Sequence, residues 1–91
     1  MNLYWTADSE EDRRDIHAFI AQDNPAAAAR LDLSFSLAAQ TLIDFPLIGR
    51  RGVLPGTREL RPHENYRLVY EIQGDAIFIV AIVHLARRWP P

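Results

Sequence analysis

RLVYEIQGDAIFIVAIVH, residues 67–84, reads as two strands folded onto each other at Gly74-Asp75. Glycine at the first central position suits a tight two-residue turn, so the stretch predicts a β-hairpin. Pairing outward from that turn sets Ile72 opposite Ile77, Tyr70 opposite Ile79, Leu68 opposite Ala81 and Tyr66 opposite Val83. Side chains alternate along a strand, so these eight residues share one wholly apolar face. The second face is mixed: Glu71 opposite Phe78, Val69 opposite Val80, Arg67 opposite Ile82 and Asn65 opposite His84. Val69, Phe78, Val80 and Ile82 are too apolar for water, so a covering partner is expected there.

The 91 residues suit one domain, 1–91. No apolar run approaches the roughly 20 residues of a membrane span. The start, MNLYWTADSEEDRRD, lacks the basic region and apolar core of a signal peptide, so a cytoplasmic location is expected. Without cysteine there is no disulfide framework, thiol nucleophile or Cys-ligated zinc. Chemistry is left to Arg, His, Glu, Asp and Tyr, with no metal or other cofactor expected. All ten basic residues are arginine, and they are unevenly placed: residues 1–45 carry a net charge of −5, residues 46–91 one of +3. A basic C-terminal half suits an anionic partner, although solvated arginines give the same count.

Leu3 to Thr6 predicts a first strand, at the sheet edge or beside the hairpin. Thr6 or Asp8 caps a helix, acids at Glu10, Glu11 and Asp12 suit its positive end, and Ile16, Phe19 and Ile20 form its apolar stripe, ending near Asp23. Asn24-Pro25, a cap followed by proline at the first helical position, starts a second helix. Leu31, Phe35, Ala38, Leu42 and Phe45 mark its buried side; Leu33 and Leu37 are expected to widen that stripe, the other reading being a ridge for a partner. Pro46 ends the helix, and PLIGRRGVLPG is a long loop carrying Arg50-Arg51. Thr57 to Arg61 predicts a strand stopped by Pro62, with neighbouring Arg58 and Glu59 tying the loop or helix ends. Trp89, in the closing LARRWPP, is either a lid on the sheet or an exposed anchor. The fold class is therefore α+β: an N-terminal strand, a helical hairpin, then a three-stranded antiparallel meander, with both helices on one sheet face.

Phe45-Pro46, Ile48-Gly49-Arg50, Arg58-Glu59-Leu60, Tyr66-Arg67-Leu68-Val69-Tyr70 and His84, in that order, resemble the RelE/ParE superfamily of toxins from type II toxin–antitoxin modules, the ParE branch most closely. The resemblance implies the same topology and a cognate ParD-like antitoxin whose C-terminal segment folds over the toxin. It implies one of two targets: ribosome-bound messenger RNA for RelE-like members, DNA gyrase for ParE-like ones. RNA cleavage needs a base, an acid and cations for the phosphorane. The nuclease candidates are Arg67, matching the family's phosphate-contacting arginine, with His84 as base and Glu71, which pairs with Arg67 if it has no catalytic task. Leu60-Arg61-Pro62 and Leu85-Ala86 stand where RelE-like nucleases commonly carry their remaining catalytic residues. The reading taken is a non-catalytic toxin that inhibits gyrase; a nuclease, or a non-toxic antitoxin-binding remnant, are the alternatives. The antitoxin is expected on the mixed face, at Arg61, Arg67, Val69, Phe78, Val80 and Ile82. Target contacts are expected at Arg50, Arg51, Arg87, Arg88 and Trp89, with neither membrane association nor sequence-specific DNA binding.

Overall fold

The computed structural model describes residues 1–91. Its elements are β1 (Asn2–Trp5), α1 (Ala7–Ala21), α2 (Pro25–Asp44), β2 (Arg50–Arg51), β3 (Thr57–His63), β4 (Tyr66–Gln73) and β5 (Ala76–His84). They form the expected α+β sandwich, with both helices on one face of a sheet ordered β1-β5-β4-β3-β2. The sheet is mixed rather than antiparallel throughout, because β1 runs parallel to β5. The chain between them is far longer than the crossover that parallel neighbours require. Two residues of the expected loop, Arg50–Arg51, pair with β3 as a short edge strand. β3 itself runs past Pro62 to His63; its register slips between Leu60 and His63, which accommodates a residue with no N–H to donate.

Both helix starts follow from local chemistry. Thr6, not Asp8, caps α1: its Oγ1 accepts the Ser9 N–H at 3.2 Å, and Ser9 Oγ donates back to the Thr6 carbonyl at 2.9 Å. Asn24 Oδ1 accepts the Ala27 N–H at 3.0 Å, with Pro25 beginning α2. The helices are clamped by Arg13, whose Nε and Nη2 meet the Asp32 carboxylate at 2.6 and 3.0 Å while its guanidinium lies 4.7 Å over Trp5.

The buried side of α2 is Ala28, Leu31, Phe35, Ala39 and Leu42. Ala39 therefore takes the place expected for Ala38. Phe45 would continue the stripe, but the helix ends at Asp44 and Phe45 turns outward, 64% exposed. Leu33 and Leu37, 57% and 54% exposed, do not widen the core, and Phe19 on α1 stands at 72%. Ala39 and Leu42 pack against Leu68, Tyr70, Ile77 and Ile79, while Leu31 and Phe35 pack against Tyr66 and Ile82.

The hairpin turns as expected, with Gly74 in the left-handed region at φ 60°. Ile72↔Ile77, Tyr70↔Ile79 and Glu71↔Phe78 are paired as read. The register then shifts: Val69 pairs with Ala81, Leu68 with Ile82, Arg67 with Val83 and Tyr66 with His84, leaving Val80 as the extra residue of a β-bulge. One inserted residue exchanges the faces of everything beyond it. Ile82 and His84 thus join the helix side, and Ala81 and Val83 pass to the outer face, the reverse of the expected arrangement.

Candidate functional site

The outer face carries Val69, Ala81 and Val83 as a small buried cluster, with Val80 and Trp89 packed on it. Trp89 is thus a lid, not a free anchor; backbone bonds Leu85 N–H to Asn65 O (2.8 Å) and Arg87 N–H to His84 O (2.9 Å) turn the tail back. Val69, expected as a partner contact, is covered by the chain itself. Arg67 lies on this face but pairs with Glu59, Nη1 to Oε1 at 3.1 Å, rather than with Glu71. Glu71 accepts instead from Gln73 at 3.2 Å, and it lies four positions along the strand from Arg67, a rise of about 13 Å. The Nε of Arg67 and the Nε1 of Trp89 are buried donors with no protein acceptor. Toward the β1 edge Phe78 stacks on Tyr4, ring centroids 5.3 Å apart, with Tyr4 49% exposed. Arg61 is exposed and donates to the Glu64 carbonyl at 3.1 Å.

His84 stands on the face away from Arg67, its ring edge-on to Tyr66 at 5.0 Å. Its Nδ1 accepts the Ala86 N–H at 3.0 Å. That bond engages the Nδ1 lone pair within the turn. Asn65 contributes its backbone to this turn, donating its N–H to His63 Nδ1 at 3.1 Å and accepting from Leu85. The bulge thus separates the three nuclease candidates: Arg67 and Glu71 are on one face, engaged elsewhere, and His84 is on the other.

Two further surfaces come from the tertiary arrangement rather than from any single motif. Beside α1 a groove of about 480 Å³ has Ile16, Tyr66 and Ile82 in its walls and Phe19 at its mouth. β1 pairs with β5 only as far as Ile79, so the later β5 edge meets α1, where Asp12 accepts the Ile82 N–H at 3.0 Å. Desolvation raises the Asp12 pKa above 3.8; the Ile82 bond offsets part of this, and the charges of Asp8 and Asp15 add to it. At the opposite sheet edge, the Tyr70 hydroxyl donates to the Pro46 carbonyl at 2.7 Å and accepts the Gly49 N–H at 3.0 Å. Burial raises the pKa of this phenol, so it stays protonated and able to donate. Arg58 and Glu59 tie the same loop, as expected, through the Gly49 carbonyl (2.8 Å) and the Val53 N–H (3.2 Å). Arg50, Arg51, Arg87 and Arg88 are exposed, and neither ion pair of the molecule involves them.

Residues 3–89 match the family model described as ParE toxin of type II toxin-antitoxin system, parDE. A protein of Sinorhizobium fredii, Y4kP, described only as a candidate toxin, is 33% identical over 89 residues, 97% of this chain and 92% of its own. Toxin RelE2 of Caulobacter vibrioides is 34% identical over 85 residues, 93% of this chain and 96% of its own. Among solved structures, the chromosomal ParDE system from P. aeruginosa contains a chain that superposes with a TM-score of 0.82 at 22% identity, covering 92% of this chain and 95% of that one. That likeness speaks to the fold.

Proposed function

The chain belongs to the ParE toxin family of type II toxin–antitoxin systems, and from that membership we propose that it poisons DNA gyrase by binding and is neutralised by a ParD-like antitoxin. The observation that favours binding over RNA cleavage is the bulge at Val80. It places His84 and Arg67 on opposite faces, with the His84 Nδ1 accepting the Ala86 N–H and the Arg67 Nη1 paired to Glu59. An in-line cleavage needs its base and its cation converging on one phosphate.

The antitoxin in this reading covers the outer face along Tyr4, Phe78 and Val80, with Arg61 at the rim donating to acidic side chains. The partner class is supported by the P. aeruginosa assembly, a ParDE system. The groove beside α1 offers it a second foothold, since Phe19 stands 72% exposed at its mouth over an apolar floor that includes Ile82.

Induced expression, followed by separate readouts of gyrase supercoiling and of messenger RNA cleavage on ribosomes, tests the mechanism. Inhibited supercoiling with intact transcripts is expected; ribosome-dependent cleavage without gyrase inhibition would reverse the assignment. For the antitoxin, Phe78→Ala is expected to weaken the complex by more than about 1 kcal/mol with the fold retained. A footprint confined to the groove around Phe19 would move the site there.

A further inference from the structure

The loop between α2 and β3 is held firmly yet turns its apolar side chains outward. Phe45, Leu47, Ile48 and Val53 are 60–66% exposed. Floppiness does not account for this, because the Tyr70 hydroxyl, the Arg58 guanidinium and the Glu59 carboxylate all bond the loop backbone. Gly49 is packed so tightly that an added Cβ would lie 2.6 Å from the Tyr70 oxygen. A pre-organised loop loses little entropy on association, which is the condition for a strong contact from few residues.

A second observation gives this surface a sign. Arg51 is directly opposite Arg58 in the β2–β3 pairing. Like charges across a ladder repel. Between them opens a cleft of about 400 Å³ whose lining contains no carboxylate. Three of the four exposed apolar side chains are aliphatic, which suits a protein pocket rather than the base stacking that nucleic acids require.

We infer that this loop is the docking surface for the cellular target, and that it takes a protein segment in which an aspartate or glutamate enters between Arg51 and Arg58 while apolar neighbours cover Leu47 and Ile48. The inference rests on the proposal that the toxin acts by binding, and it selects the loop over the Arg87-Arg88 tail. The surface lies at the β2 edge, the far side of the sheet from the Tyr4–Phe78 strip assigned to the antitoxin. Toxin could therefore carry both partners at different edges.

The test compares the wild-type chain with Arg51→Glu and with the double variant Leu47→Ser/Ile48→Ser, all at exposed positions, after thermal melts confirm that each folds. Growth inhibition on induction, binding to purified gyrase and binding to the cognate antitoxin are read separately. Both variants are expected to bind gyrase at least tenfold more weakly and to relieve growth inhibition, with antitoxin affinity within twofold of wild type. Unchanged gyrase binding, or an equal loss of antitoxin affinity, would overturn the inference. If the wild type arrests growth without binding gyrase, the target named above is wrong and the loop is judged on growth alone: relief supports it, persistence overturns it. A wild type that does not inhibit growth removes both readings.

Discussion

Arg67 and Glu59 form a cross-strand ion pair, Nη1 to Oε1 at 3.1 Å, in which the Glu59 side chain keeps 2% of its exposure and that of Arg67 keeps 16%. A charge so placed is tolerable only while paired. Arg67→Ala leaves the carboxylate stranded and is expected to cost about 3–5 kcal/mol in urea unfolding, whereas Arg67→Met with Glu59→Gln, which removes both charges, should recover most of that loss. Equal stability of the single and double variants would mean that the pair is solvated in solution.

The bulge predicts an inequality between two neighbouring β-branched residues. Ile82→Ala should cost about 2–5 kcal/mol, since Ile82 is packed among Leu31, Phe35 and Tyr66. Val80→Ala, at a half-buried position on the other face, should cost only about 1 kcal/mol. Denaturant midpoints measured on the two variants decide it, and a reversed order would restore the unbulged register.

Asp12 predicts a pH dependence of unusual sign. Its folded pKa is raised above 3.8 chiefly by desolvation, so the native state binds the proton more tightly than the unfolded chain does. Its contribution is therefore a penalty, absent below the unfolded value, that grows as pH rises from 3.8 through the folded pKa and is complete above it. Asp12→Asn keeps an acceptor for the Ile82 N–H and should match or exceed wild type in melting temperature at pH 7, the difference closing near pH 3. Asp12→Ala removes the acceptor and should be less stable than Asp12→Asn at every pH. Parallel melting curves for the wild type and Asp12→Asn across that range would contradict this account.

His84→Asn retains an oxygen able to accept the Ala86 N–H while removing the titratable ring. Growth inhibition should persist. A general base contributes on the order of 10²–10⁴-fold, so a hundredfold fall in ribosome-dependent cleavage in this variant would identify a nuclease.

Trp89 covers Val69, Ala81 and Val83. Truncation after His84 is expected to uncover that apolar cluster, lowering stability by about 1–3 kcal/mol and raising binding of a hydrophobic dye. Unchanged dye binding would show that the tail is not seated on the sheet.

The order of the main elements, the cap of α2 and the hairpin turn were legible because each rests on contacts within a few residues: Asn24 with Ala27, glycine at position 74. Local pattern leaves the α1 cap open between Thr6 and Asp8 and does not show the edge strand Arg50–Arg51. The paired core from Tyr70↔Ile79 to Ile72↔Ile77 was legible for the same reason, since the turn sets the register of its nearest pairs. So was the tying of the loop by Arg58 and Glu59. The family followed from an ordered series of short motifs along nearly the whole chain.

What the sequence by itself determined is thus the local grammar of the fold and the kind of protein it makes. Which residues share a face beyond Val69 was decided by tertiary structure alone. Val80, Ala81, Ile82 and Val83 are all apolar, and alternation along such a run is satisfied by either register. The choice turns on distant groups: the bulge buries an isoleucine rather than an alanine against Leu31 and Phe35, and it aims the Ile82 N–H at Asp12, 70 residues earlier, where β1 no longer pairs with β5. Burial of a larger side chain and satisfaction of an orphaned donor both favour that register. The same shift places His84 on the face away from Arg67, so the separation of the candidate catalytic groups was set by packing that no local pattern records.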